Sequence, residues 1–387
     1  MNPARLSPML ALILLLNAVL ALAYDGPVEK KTFTMPSYTT VGGKTLKNVR
    51  FGYESYGKLN ARGDNAIFIA HFFSGNSHAA GKYKPEDKAP GYWDAIIGAG
   101  KPLDTDKYFV VSADTLANLG ANDPAVVTTG PSSIDPDTGK PYGMRFPIVT
   151  MRDFVNTQKA LADALGVRKF AAVMGASMGS LQTMEWAAAY PDMVERAIAV
   201  IPGGLEADPY LIGRLNLWMA PIVNDPNWNG GDYYGRTPPN KGVAEALKQI
   251  TLDARHWGWA GKNFGRKWAA EGRNPLDGWD NKYLIEDTLD KVGADRAAIA
   301  DANALLYLAR ANQLYQVDPK AIKAKVLFVP AKSDLLLHPA YGLRAAEVLK
   351  MQGNTVEVAE IDGDGGHLDG VFLIGKVGEQ IRAFLAR

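Results

Sequence analysis

Gly175-Ala-Ser-Met-Gly179 places a hydroxyl between two glycines in the pattern G-x-S-x-G. A serine hydroxyl is a weak nucleophile until a base takes its proton, and it must stand clear of the backbone to reach a carbonyl carbon. A sharp turn meets the second need, and flanking glycines let the chain turn without steric conflict. The apolar run Phe170–Met174 precedes the motif, and a helical run from Ser180 to Tyr190 follows it, stopped by Pro191. Ser177 is therefore expected where a strand turns into a helix. The N–H of Met178 then lies at a helix N-terminus, where backbone dipoles favour a developing oxyanion.

The base must be one of five histidines. His367 closes Asp362-Gly-Asp-Gly-Gly-His367, a loop directly after the β-rich run Thr355–Ile361. The competing use of that loop is a cation site on Asp362 and Asp364. His338, ahead of Pro339, reads as the start of a helix, while His71 and His78 flank an early loop and His256 falls in the middle of the chain. An acid that holds the imidazole in its working tautomer is expected after the preceding strand. Ser333-Asp334 follows Val326–Pro330 and fits, although a solvated turn would use the same residues. The order Ser177, Asp334, His367 is the chain order of α/β-hydrolases. A second oxyanion donor should come from His71-Phe-Phe-Ser-Gly75, with the N–H of Phe73 as the candidate and His71 either orienting the loop or touching substrate. Losing one such donor typically costs about 100- to 1000-fold in turnover.

These residues need a sheet to hold them. Seven β-rich runs stand out: Val49–Tyr56, Ala66–His71, Tyr108–Ala113, Phe170–Met174, Ala197–Ile201, Val326–Pro330 and Thr355–Ile361. Three of them, beginning at Ala66, Phe170 and Val326, are continuously apolar, which suits strands covered on both faces of a mostly parallel α/β sheet. A helix is expected from Met151 to Leu165, opened by a Thr150/Asp153 capping box and ended by Gly166. Residues 204–317 lack convincing strands and carry six of the eight Trp, which predicts a helical cap inserted between core segments 24–203 and 318–387. Those Trp are expected mostly in the core of the cap, with some walling a substrate pocket.

The first 23 residues form a separate unit: Arg5, an apolar run from Met9 to Leu22, then Ala21-Leu22-Ala23. That is the layout of a cleaved export signal, and the run is short of the ~20 residues a membrane span needs. The chain is thus expected outside the cytoplasm, periplasmic or secreted, with no stable membrane anchor after cleavage. Removing Arg5 from 42 basic and 41 acidic residues leaves 41 of each, a net charge of zero. Such a balance gives no electrostatic footprint for nucleic acid. The absence of Cys excludes disulfides, thiolate metal sites and a cysteine nucleophile. No cofactor or metal is required by the expected chemistry, and the partner is a small-molecule ester.

With these residues in place, the chain resembles the homoserine O-acetyltransferase family over about Val49 to Phe384. The resemblance rests on Thr129-Gly-Pro-Ser-Ser-Ile134, Thr138-Gly-Lys-Pro-Tyr-Gly143, Phe146-Pro-Ile-Val-Thr-Met-Arg-Asp153 and Gly175-Ala-Ser-Met-Gly-Ser180 with Gln182 and Glu185-Trp186. It continues through Asp225-Pro-Asn-Trp228, Gly230-Gly-Asp-Tyr-Tyr234, Phe264-Gly-Arg266, Ser333-Asp334 and Gly366-His367. The resemblance implies an acyl-Ser177 intermediate resolved by an acceptor hydroxyl, and a chain that commonly dimerises through its cap. It also marks Arg214, Met219 and Tyr234 as acceptor-side positions. Two departures bear on substrate. The family carries an Arg before its Asp-Pro stretch to hold the amino-acid acceptor; here that position is Met219, with Arg214 five residues away. The loop Asp114-Thr-Leu-Ala-Asn-Leu-Gly120 also replaces a small, Gly-rich one. An exported enzyme would further lack coenzyme A thioesters. The leading expectation is an exported serine ester hydrolase, or an acyltransferase using a non-CoA donor. Homoserine O-acetyltransferase itself comes second, and a non-catalytic binding protein on the same scaffold third.

Overall fold

The computed structural model describes Tyr24, Gly26 and residues 28–387, so the expected export signal lies outside the described residues. Eight strands form one sheet: β1 (Lys31–Thr39), β2 (Thr45–Tyr56), β3 (Ala66–Ala70), β4 (Phe109–Ala113), β5 (Phe170–Ala176), β6 (Arg196–Val200), β7 (Lys325–Val329) and β8 (Val356–Val358). Their order is β1-β2-β4-β3-β5-β6-β7-β8. β1 and β2 are antiparallel, as are β2 and β4, and every pair from β4 to β8 is parallel. Residues of β3, β4, β5 and β6 are all buried, as expected for strands covered on both faces.

Helices supply the cover. α1 (Met151–Ala164) carries the expected capping box, with Thr150 N–H donating to Asp153 at 2.7 Å. α2 (Met178–Ala189) packs α1 and β5 through Trp186, whose ring sits 5.1 Å from Phe170 and 5.9 Å from Phe68. Between β6 and β7 run α3 (Pro209–Val223), α4 (Asn240–Asp253), α5 (Trp257–Asn263), α6 (Leu284–Ala297) and α7 (Ala302–Gln313). α8 (Pro339–Met351), the short α9 (Asp369–Phe372) and α10 (Gly378–Leu385) finish the chain. No helix among the described residues is long and apolar enough to cross a membrane.

Two expectations change. β1 is a strand that the sequence pattern hid, because Pro36 interrupts it and only Phe33, Met35 and Tyr38 turn inward at this sheet edge. Among the cap tryptophans, Trp218 is buried, but Trp257, Trp268 and Trp279 are exposed, the last almost fully.

Candidate active site

All the parallel strands end on the same edge of the sheet, and the loops after β3, β5, β7 and β8 meet there. Ser177 follows β5 with φ 57° and ψ −121°, a backbone conformation that a non-glycine residue adopts only under local constraint. Its N–H donates to Val200 O at 3.0 Å, so the strand pairing continues into the turn itself. A Cβ at Gly179 would collide with the Ala70 carbonyl, and one at Gly175 with the carbonyls of Gly179 and Ala70. The two glycines are needed because the turn is pressed against the end of β3.

The Ser177 hydroxyl lies 2.7 Å from His367 Nε2, and His367 Nδ1 lies 2.6 Å from Asp334 Oδ2. Asp334 and His367 are both buried. A carboxylate accepts only, so the imidazole proton sits on Nδ1 and Nε2 is left to accept from the serine. The other Asp334 oxygen accepts the N–H groups of Leu336 at 2.8 Å and Leu337 at 3.0 Å, which locks its orientation. Ser333 joins the acid and base loops: its hydroxyl accepts Gly366 N–H at 3.0 Å and donates to Asp369 at 3.1 Å. Asp369 also accepts Gly365 N–H at 3.1 Å. Sequence reasoning missed this role for Asp369, whose only signal was its place two residues after the histidine. Asp362 and Asp364 instead face Lys332 at 3.8 Å and Lys262 at 4.0 Å, and no group of three potential metal ligands exists among the described residues.

The backbone N–H groups of Phe73 and Met178 have no acceptor among the described residues. Phe73 lines the same cavity as Ser177, and its ring meets Trp218 of the cap edge-on at 5.7 Å. His71 orients this loop and does not line the cavity. Its Nε2 accepts Thr115 N–H at 3.1 Å, so its Nδ1–H donates to Phe72 O at 2.8 Å. Burial pushes its pKa below the ordinary imidazole value. The divergent loop after β4 buttresses this arrangement: Asn118 donates to Gly75 O at 3.1 Å, and Asp114 accepts Ser77 N–H at 2.7 Å. A buried amide relay reaches the same loop from below. Trp186 donates to Gln158 at 2.8 Å, Gln158 to Gln182 at 2.7 Å, and Gln182 to His71 O at 3.2 Å.

The cavity above Ser177 has a volume of about 290 Å³ and a mostly apolar wall that includes Leu181, Leu211, Leu215, Trp218 and Ile250. The three acceptor-side positions expected from the resemblance do not line it. Arg214 lies on the outer flank of α3, donating to Leu335 O at 3.0 Å and Tyr210 OH at 3.2 Å, with Asp253 at 4.0 Å. Met219 is half-buried and packs against the edge of the hydrophobic core. Tyr234 donates to the buried Asp301 at 3.2 Å beside Tyr233, in a polar cluster that ties α7 to the rest of the cap.

A mostly parallel sheet with helices on its faces and Ser177, His367 and Asp334 hydrogen-bonded at one edge defines the chain as an enzyme of the α/β-hydrolase fold. A family model described as alpha/beta hydrolase fold matches residues 89–369. The homoserine O-acetyltransferase of Symbiobacterium thermophilum is 39% identical, the match covering 89% of this chain and 90% of that one. That of Methanococcoides burtonii is 37% identical over 89% of this chain and 70% of its own. Among solved structures, esterase E22 superposes with a TM-score of 0.89 at 47% identity, covering 92% of this chain and 100% of that one. The homoserine O-acetyltransferase from Bacillus anthracis also gives 0.89, at 35% identity over 94% of this chain and 98% of its own. The chain belongs to the homoserine O-acetyltransferase family.

Proposed function

We propose that the chain is an exported serine ester hydrolase that works through an acyl-Ser177 intermediate. The observation that carries this reading is the Ser177–His367–Asp334 relay, at 2.7 and 2.6 Å, opening on a small apolar cavity. His367 Nε2 takes the hydroxyl proton as Ser177 Oγ attacks the ester carbonyl carbon. The N–H groups of Met178 and Phe73 receive the resulting oxyanion. As the tetrahedral adduct collapses, the C–O bond to the alcohol breaks and the imidazolium gives its proton to the departing oxygen. A water then occupies the alcohol's place, loses a proton to His367 and attacks the acyl carbon. Ser177 leaves with the proton back on its hydroxyl, and the acid is released.

Two observations favour water over an amino-acid acceptor. Met219 stands where the family's acceptor-holding Arg belongs, and Arg214 turns away from the cavity. The neighbour at 47% identity is an esterase, against 35% for an acetyltransferase of equal structural similarity. Export is supported by Arg5, the apolar run and Ala21-Leu22-Ala23, and it separates the enzyme from coenzyme A. The acetyltransferase reading keeps one specific support, the 37–39% identity to homoserine O-acetyltransferases over 89% of the chain.

The deciding experiment offers purified protein 4-nitrophenyl acetate, and separately acetyl-CoA with L-homoserine, beside Ser177→Ala. Ser177-dependent ester hydrolysis exceeding homoserine-dependent CoA release is the expected result. The reverse ranking replaces the hydrolase with the acetyltransferase, and absence of any Ser177-dependent rate removes both. Sequencing the N-terminus of protein from separated cell fractions checks export; an intact Met1 in the cytoplasmic fraction refutes it.

A further inference from the structure

Among the described residues that line the cavity, Arg296 is the only permanently charged one. It sits in the last turn of α6, on the cap side, with no Asp or Glu among the described residues paired to it. Its one side-chain hydrogen bond among the described residues runs from Nη1–H to Thr251 Oγ1 at 2.7 Å, and the Thr251 hydroxyl proton goes on to Leu247 O at 2.7 Å. Thr251 lines the cavity too. Burial alone pushes the Arg296 pKa below the ordinary guanidinium value.

A cation taken from water into an apolar wall is costly unless an anion meets it. The other cap arginines near this site do not line the cavity, and the Nε of Arg255 is buried without a hydrogen-bond partner among the described residues. Arg214 faces Asp253, and Arg255 stacks 4.6 Å over Trp259 within the field of Asp369. The C-terminal end of α6 favours a positive charge, but it does not use the four guanidinium N–H groups that remain after the bond to Thr251. A planar fork of donors held at one nitrogen by a neutral hydroxyl is preorganised for a two-oxygen acceptor.

We propose that Arg296, positioned by Thr251, is the anion receptor of the cavity and directs the enzyme to small esters that carry a carboxylate. The proposal rests on Ser177 being the nucleophile, because it assigns another part of the wall of the same cavity. Arg296 lies on a different helix from Met219 and Arg214, so it is not the displaced acceptor clamp of the relatives. It acts on specificity and takes no part in bond breaking.

The test uses two matched pairs of substrates. In 4-acetoxybutanoate and 4-acetoxybutanamide the charge difference lies in the leaving alcohol; in monomethyl succinate and methyl succinamate it lies in the acyl group. The wild-type enzyme should favour the charged member of at least one pair by about 10- to 100-fold in kcat/KM, as expected for a charge-assisted pair. Which pair responds locates the carboxylate on the alcohol or the acyl side. Arg296→Met should bring that ratio to about one, and Arg296→Lys should keep part of it. General damage to the fold lowers both members together and leaves the ratio intact, so an unchanged ratio in Arg296→Met overturns the proposal. So does a wild-type ratio near one in both pairs. If Arg296→Met fails to fold, the wild-type enzyme still decides. 4-Hydroxybutanoate should then inhibit 4-nitrophenyl acetate hydrolysis about tenfold more tightly than 4-hydroxybutanamide, or glutarate more tightly than glutaramide. Equal inhibition within both pairs counts against an anion receptor. Failure of the nucleophile reading looks different, because Ser177→Ala would then keep the 4-nitrophenyl acetate rate whatever the ratios show.

Discussion

Replacing Asp334 with Asn tests the relay at its least exposed point. In the structure one oxygen of Asp334 accepts two backbone N–H groups, from Leu336 and Leu337, and the other accepts the His367 ring. Asn has a single oxygen and a donor NH2. If the oxygen keeps the two N–H groups, the NH2 points at His367 Nδ1, which can accept only when unprotonated. The neutral ring then holds its proton on Nε2, facing Ser177, and no lone pair is left to take the serine proton. The opposite orientation restores the working tautomer but sets the NH2 against two buried N–H donors. At about 1–3 kcal/mol for each unmet buried donor, that orientation costs about 2–6 kcal/mol. The competent arrangement is then populated about once in 30 to once in 10⁴ molecules. The expected loss in kcat for 4-nitrophenyl acetate lies in that range, with its upper end near the ~10⁴ found for the same change in serine proteases. Thermal unfolding should change little, because both backbone donors stay satisfied. A kcat within tenfold of wild type, with folding intact, would refute the tautomer argument.

Two further predictions follow from neighbouring geometry. Gly366 has φ +81°, and a Cβ there would lie 2.6 Å from His256 N at the head of α5. Gly366→Ala should cost about 1–2 kcal/mol in urea unfolding for the left-handed backbone alone. It should also lower kcat by shifting the adjoining His367, and wild-type kcat in this variant would show that the cap does not hold the base. Burial depresses the pKa of His71, so below pH ~6.5 the unfolded chain binds a proton that the folded chain refuses. Stability should therefore fall as pH drops through that value, by up to ~1.4 kcal/mol per pH unit. His71→Gln keeps an acceptor for Thr115 N–H without titrating, so its unfolding free energy should fall less steeply below pH 6.5. Parallel wild-type and variant slopes in urea titrations would dismiss His71 as the source.

Much of the core was legible in the sequence for a physical reason. Strands buried on both faces must be continuously apolar, and the three runs read that way reappear as β3, β5 and β7, while the other four β-rich runs mark β2, β4, β6 and β8. β1 escaped because an edge strand with one half-buried face needs only a few inward side chains and tolerates Pro36. Ser177, Asp334 and His367 were legible because each sits at a strand end, where a local turn signal and the chain order coincide. The roles of Ser333 and Asp369 were not, since the bond between them spans 36 residues and no local pattern records it.

Arg214 and Met219 lie off the cavity for a reason that the helix itself explains. Leu211, Leu215, Trp218 and Ile222 are the buried residues of α3, and at 100° per residue they fall within about 60° of one another. Arg214 and Met219 then point about 70° to either side of that stripe, away from the cavity that Leu211, Leu215 and Trp218 enter. A position shared with relatives carries no information about the helix face it occupies, whereas the apolar stripe of α3 does. Arg296 shows the opposite limit. It lies near the end of a half-buried helix, and the packing of α4 on α6 brings it to Thr251 and to the cavity that Ser177 also lines. If Arg296 is the anion receptor proposed above, exchanging it should change the ranking of charged and neutral esters in kcat/KM.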